Sequence, residues 1–153
     1  MIGAKILLVD DEEIFTRNMA KLLATRGYRV TAVNSGDAAI RALQAQAADV
    51  IVLDLKMPGM DGLTTLKEIQ RLGFFSQTLM LTGHGSIDSA LEAMTLGAYD
   101  YLTKPCEIDE LVAKIEGAWQ KKDGSAQQVT RENAHKGNPA SKSVFEVFPS
   151  KKR

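Results

Sequence analysis

Residues 50–53 read Val-Ile-Val-Leu and run straight into Asp54, while residues 6–9 read Ile-Leu-Leu-Val and run straight into Asp10 and Asp11. A half-exposed strand alternates apolar with polar residues; a run that is apolar at every position is the pattern of a central parallel strand covered by helices on both faces. Outward from these two runs, short β-branched stretches keep alternating with segments of helical spacing. Further strand candidates are Arg29–Val33, Thr78–Leu81 and Tyr99–Leu102, beside Lys5–Val9 and Val50–Leu53. That alternation is the mark of a βα repeat.

The intervening helices are legible from their apolar stripes. Ile108, Leu111, Val112, Ile115 and Trp119 form the clearest one, at helical spacing throughout. Phe15, Met19, Leu22 and Leu23 predict a first helix that stops at Gly27, and Ile87, Ala90, Leu91 and Met94 predict a fourth that stops at Gly97. Ser35, Asp61 and Ser86 stand where amino-terminal caps belong. Five such units joined by right-handed crossovers predict an α/β fold: a doubly wound five-stranded parallel sheet with helices on both faces. The simplest strand order is the flavodoxin-like 2-1-3-4-5.

The chain has 153 residues and no formal net charge, with 19 basic and 19 acidic side chains. Neutrality conceals a division. Residues 1–123 carry 13 basic and 17 acidic side chains, whereas 124–153 carry six basic and two acidic. The first part is expected to be the folded domain. The second, rich in Gly, Ser, Gln, Asn and Lys and holding Pro139 and Pro149, is expected to be a basic, disordered tail. Its one apolar cluster, Val144-Phe145-Glu146-Val147-Phe148, reads as a solubilised end, with a short docking peptide as the alternative. Neutrality argues against a wholly basic nucleic-acid binder. The single cysteine, Cys106, excludes an internal disulfide and a thiolate zinc cage, and is expected to be a partly buried apolar residue. No signal peptide and no apolar run of ~18 residues is evident, so a cytoplasmic location without membrane insertion is the expectation. The length is expected to leave no room for a DNA-binding output domain.

In an open parallel sheet, ligands bind beyond the carboxyl ends of the strands near the switch in strand order. Here those ends carry Asp10-Asp11, Asp54, Thr82 and Lys104. With strands one and three adjacent, three carboxylates converge, and carboxylates that close raise one another's pKa. A hard divalent cation resolves the conflict, and Mg2+ suits oxygen ligands beside a phosphoryl group. Asp54 is followed by Leu-Lys-Met-Pro-Gly, a turn expected to hold its side chain at the rim and open to solvent. A carboxylate so placed can attack phosphorus and form an acyl phosphate. Lys104 then supplies a positive charge and the Thr82 hydroxyl a donor to the phosphoryl oxygens.

At these positions the chain resembles the receiver domain of bacterial two-component response regulators. The residues carrying the resemblance are Leu-Leu-Val-Asp-Asp (7–11), Leu-Asp-Leu-Lys-Met-Pro-Gly-Met-Asp-Gly (53–62), Leu-Thr-Gly-His-Gly (81–85) and Gly-Ala-Tyr-Asp-Tyr-Leu-Thr-Lys-Pro (97–105). Each alone is a weak pattern; four in order on predicted strand ends are specific. The resemblance spans residues 4–121 and implies that Asp54 is the phosphoacceptor. It also implies that Asp10, Asp11, Asp54 and the main-chain carbonyl of Lys56 bind Mg2+, that Lys104 contacts the phosphoryl group, and that Thr82 and Tyr101 form a switch pair. A cis Lys104–Pro105 bond is implied as well.

The implied donor is a sensor histidine kinase or a histidine phosphotransfer protein. The implied output is a contact with another protein, or a homodimer, through the face of helix four, strand five and helix five. Such a domain is not an enzyme in the ordinary sense, though it is expected to catalyse its own Mg2+-dependent phosphorylation and dephosphorylation. Tyr99, two residues before Tyr101, is expected on the same sheet face, so either ring could be core. His84 is expected to be a solvated loop residue; alternatively it and Lys56 tune how readily water attacks the acyl phosphate. Gly83 leaves the approach open, and His135 is expected to be inert. An aspartyl-phosphate phosphatase would carry an acid two residues after its nucleophile, where Lys56 stands. A flavodoxin-like electron carrier would carry a hydroxyl-rich loop after the first strand, which is absent. An unphosphorylated scaffold would tolerate loss of Asp54 or Lys104, and both are present.

Overall fold

A computed structural model describes residues 3–83 and 87–134, with side chains to Lys122. Ten elements follow one another as β1 (Lys5–Val9), α1 (Glu13–Thr25), β2 (Arg29–Val33), α2 (Gly36–Ala45), β3 (Val50–Asp54), α3 (Gly62–Leu72), β4 (Gln77–Thr82), α4 (Ile87–Thr95), β5 (Asp100–Thr103) and α5 (Ile108–Ala134). The strands form one parallel sheet in the order β2-β1-β3-β4-β5, the order the sequence predicts. Each predicted strand is present with its ends shifted by a residue at most. Among the described residues, no helix is long and apolar enough to cross a membrane.

The fully apolar runs are buried on both sides, as their composition requires. Leu7, Val9, Ile51, Leu53 and Met80 face one layer, where Ala39 and Leu43 of α2, Leu66 and Ile69 of α3, and Ala90 and Ala93 of α4 pack. Ile6, Leu8, Val50, Val52, Leu79 and Leu81 face the other, against Met19 and Leu23 of α1 and Leu111, Ile115 and Ala118 of α5. Fully burying each such Leu or Ile contributes about 1.5–3 kcal/mol, which makes the three central strands the stable frame of the molecule.

The predicted caps and stops are present where they are described. The Ser35 hydroxyl accepts from the Ala38 N–H at 3.1 Å and the Asp61 carboxylate from the Thr64 N–H at 2.9 Å, each satisfying an orphan donor of its helix. Gly27 and Gly97, just past α1 and α4, stand at φ 95° and 103°. Ser86 and His84 lie outside the described residues.

Four expectations change. Leu22 of α1 is 46 % exposed, and in α4 Ile87 and Leu91 are exposed too, so the inward faces narrow to Met19 and Leu23 in one helix and to Ala90 and Ala93 in the other. A heptad-like apolar stripe is wider than the surface that a helix lying on a flat sheet buries. Tyr99 precedes β5 rather than sharing its alternation, with its N–H donating to the Thr78 carbonyl at 2.7 Å. Tyr99 packs with the α1 and α5 layer and Tyr101 with the opposite one. Finally, α5 runs through Ala134, so the stretch 124–134 of the expected tail is helical and the boundary at Asp123 falls inside a helix. Six of the eleven residues there are Ala, Gln, Arg or Glu, which lose little rotamer freedom in a helix. Residues 135–153, with His135 and the 144–148 cluster, lie outside the described residues. The sheet and its helices constitute one compact unit to Gln120, and Lys121 begins a second.

Candidate functional site

The parallel order brings the ends of β1, β3, β4 and β5 to one edge. The register fixes their levels: Val9 lies opposite Leu53, Asp54 opposite Leu81, and Thr82 opposite Thr103. The Lys104 N–H donates to the Thr82 carbonyl at 2.8 Å and the Leu55 N–H to the Leu81 carbonyl at 2.9 Å, so pairing continues one step past the strand ends. Asp10, Asp54, Thr82 and Lys104 are therefore held by main-chain bonds of the sheet itself, not by a free loop.

The carboxylates of Asp10, Asp11 and Asp54 each offer an oxygen within 4.8 Å of the others. Asp10 is wholly buried, Asp54 only 5 % exposed, and Asp11 exposed. Asp54 thus departs from the expected place at the open rim. β3 includes it, and Leu55 behind it is also buried and paired, so the turn leaves the sheet only after the carboxylate has been covered. Burial is the largest cause that raises the Asp54 carboxyl from 3.8 to about 6. The negative charge of Asp10, and more weakly that of Asp11, adds to the rise, while Lys104 and a hydrogen bond from the Lys56 N–H oppose it.

Lys104 is the cation of the cluster. Its Nζ lies 2.5 Å from Asp10 Oδ2, 3.4 Å from Glu12 Oε1 and 3.6 Å from Asp54 Oδ1. Burial draws its pKa down, but the hydrogen bond and charge of Asp10, followed by the charges of Asp54 and Glu12, outweigh that and hold it above the usual lysine value. The Lys104–Pro105 peptide bond is cis. Thr82 is fully buried and its hydroxyl donates to the Gly83 carbonyl at 2.9 Å. Tyr101 is half-buried against the α2–α4 layer. Lys56 is exposed on the turn after Asp54. Cys106 is partly buried, as expected, and burial raises its thiol.

Three contributors carry no sequence signal. Asn34, after β2, donates to the Asp10 carbonyl at 2.8 Å and to Thr16 Oγ1 at 3.2 Å, tying the β1 end to α1. Glu12 reaches Lys104, and the Phe15 ring lies under the same ammonium, 4.7 Å from it. The helical setting of Glu12 and Phe15 is legible, but Glu12 meets Lys104 across 92 residues of chain.

An oxygen-rich cluster of one exposed and two buried carboxylates with, among the described residues, a single adjacent ammonium is under-neutralised, and its donor set is the kind a hard divalent cation takes. The family profile described as the response regulator receiver domain matches residues 6–116. The transcriptional regulatory protein ZraR of Escherichia coli (strain K12) is 40 % identical over 113 residues, which are 74 % of this chain and 26 % of that protein. The chain spans about a quarter of the length of the first curated relatives it matches. Among solved structures, a response regulator receiver domain protein from Clostridium thermocellum superposes with a TM-score of 0.75 at 35 % identity, covering 79 % of this chain and 98 % of that one. NtrX from Brucella abortus superposes with a TM-score of 0.83 at 29 % identity, covering 92 % of this chain and 32 % of that one.

Proposed function

This chain belongs to the response regulator receiver domain family, and on that premise we propose that it accepts a phosphoryl group on Asp54 and signals by changing the face of α4, β5 and α5. The observation that carries the reading is the convergence of Asp10, Asp11 and Asp54 with Lys104 at the carboxyl edge of the sheet. One oxygen of the Asp54 carboxylate forms the new O–P bond while the P–N bond of a phosphohistidine, or the P–O bond of an acyl phosphate such as acetyl phosphate, breaks. The leaving atom keeps the bonding pair. A sensor histidine kinase or a histidine phosphotransfer protein is the donor this chemistry fits.

Asp10, Asp11, Asp54 and the main-chain carbonyl of Lys56 would hold Mg2+, which when bound offsets negative charge on the transferring phosphoryl oxygens. Lys104 supplies the remaining positive charge from the protein. Its ammonium is 3.6 Å from Asp54 and needs little displacement to reach an oxygen attached there. Preorganised charge of this kind costs no reorganisation at the moment of transfer, and it is most of what phosphoryl transfer asks of a protein.

The switch rests on Thr82 and Tyr101. In the unphosphorylated protein the Thr82 hydroxyl spends its proton on the Gly83 carbonyl. An acyl phosphate on Asp54 offers a stronger, charged acceptor, and drawing the hydroxyl to it vacates the space into which the Tyr101 ring turns. Phosphorylation then biases a two-state element next to α4, whose exposed Ile87 and Leu91 make that face an adhesive one for a downstream protein or a second copy. The test is incubation with Mg2+ and acetyl phosphate followed by intact mass measurement. One phosphoryl group on the wild type, lost with chelator and lost in Asp54→Asn, is the expected result. No adduct, or an undiminished one on Asp54→Asn, refutes the proposal.

A further inference from the structure

The head of Lys104 is contested. Asp10 lies 2.5 Å from its Nζ and Glu12 3.4 Å, both nearer than Asp54 at 3.6 Å. Lysine is a point charge on a flexible four-carbon stem, so its position is set by whatever surrounds the ammonium rather than by its own geometry. Two of the three carboxylates around it pull it toward β1 and α1, away from the residue on which the chemistry is proposed. The fourth neighbour is of another kind. The ring of Phe15, in the first turn of α1, has its centroid 4.7 Å from Nζ, inside the distance at which the negative face of an aromatic ring attracts a cation.

We infer that Phe15 is a positioning residue for Lys104: its ring face seats the ammonium between Asp10, Glu12 and Asp54 without adding another carboxylate to compete for it. Lys104 is only 18 % exposed, so the ring also takes the place of water that would otherwise solvate the charge. Phe15 packs at the same time against the α1 and α5 core layer, which anchors the ring and through it the cation. A leucine at this position would preserve the apolar packing and lose the π face; a tyrosine would keep both. The inference rests on the proposal that Lys104 acts on a phosphoryl group at Asp54.

The discriminating experiment measures the rate of phosphorylation by acetyl phosphate and Mg2+ in the full chain for wild type, Phe15→Leu and Phe15→Tyr, and repeats Phe15→Leu in a Lys104→Met background. Loss of one cation–π contact predicts a rate reduced about two- to thirtyfold in Phe15→Leu, largely restored in Phe15→Tyr. In the Lys104→Met background, Phe15→Leu should cost nothing more, because the group it positions is gone. A purely structural role would reduce the rate equally in both backgrounds, and that result overturns the inference. Phosphorylation of Phe15→Leu at the wild-type rate overturns it too, while leaving the receiver reading intact. Absence of any adduct on the wild type overturns the receiver reading and this inference with it. The ring-current shift of the Lys104 ε-methylene protons supplies a second readout: it should disappear in Phe15→Leu and persist in Phe15→Tyr, and a shift unaffected by Phe15→Leu contradicts the seating.

Discussion

Replacing Asp54 by asparagine should stabilise the metal-free protein at neutral pH. The carboxyl stands at about 6 in the folded chain against an ordinary 3.8, first because it is buried and then because Asp10 lies beside it. A displacement of that size is worth about 3 kcal/mol between the protonated and ionised forms, and asparagine keeps the shape without the charge. The sign follows from linkage. Between about pH 4 and pH 6 the folded state binds a proton that the unfolded state has released, so stability falls as pH rises through this window. The penalty is absent below it and complete above it. Urea unfolding in chelator, followed by far-UV circular dichroism, should place the Asp54→Asn midpoint about 1–3 M above wild type at pH 7.5, given a slope of about 1–3 kcal/mol per M. At pH 4 the two midpoints should converge. Added Mg2+ should raise the wild type and narrow the gap at pH 7.5, since a ligand of the native state stabilises it. A destabilised Asp54→Asn, or a gap that does not change with pH, would refute the electrostatic reasoning.

Other perturbations bear on the same frame. Lys104→Met leaves Asp10 and Asp54 buried without their cation and should cost about 3–5 kcal/mol at neutral pH, measured by the same unfolding assay, along with a slower but still measurable phosphorylation by acetyl phosphate. Gly62→Ala would place a Cβ 2.3 Å from the Asp54 carbonyl oxygen, so the end of β3 must move; a loss of about 1–3 kcal/mol is expected, and an unchanged thermal midpoint would contradict it. Tyr28→Phe removes the hydroxyl that donates to Glu116 between the end of α1 and α5, and should cost about 1–2 kcal/mol with no effect on phosphorylation rate.

Much of this architecture was legible because it is local. Runs such as Val50–Leu53 read as strands buried on both faces, and five such units with right-handed crossovers make a doubly wound sheet whose simplest order is the one observed. The carboxyl-edge residues then fall together because the sheet is parallel, which is why the sequence alone groups Asp10, Asp54, Thr82 and Lys104. What escaped is what depends on depth and on long-range contact. The turn after Asp54 marks a loop but does not show that β3 carries the carboxylate under cover first. Leu22, Ile87 and Leu91 satisfy helical spacing yet lie beyond the strip of each helix that the sheet covers. Tyr99 shares the two-residue period with Tyr101, but the strand that would enforce it starts one residue later. No pattern in the sequence ties Asn34, Glu12 or Phe15 to the site, Phe15 counting only as part of the first helix's apolar stripe; folding sets them against Asp10 and Lys104.

The most direct test of the central claim is to locate the phosphoryl group. Treating the protein with Mg2+ and acetyl phosphate, trapping the acyl phosphate by borohydride reduction and mapping peptides by mass spectrometry should find the reduced residue at position 54 and nowhere else. Modification at Asp10, Asp11 or Glu12 with Asp54 untouched, or no reducible acyl phosphate on the chain, would contradict the account.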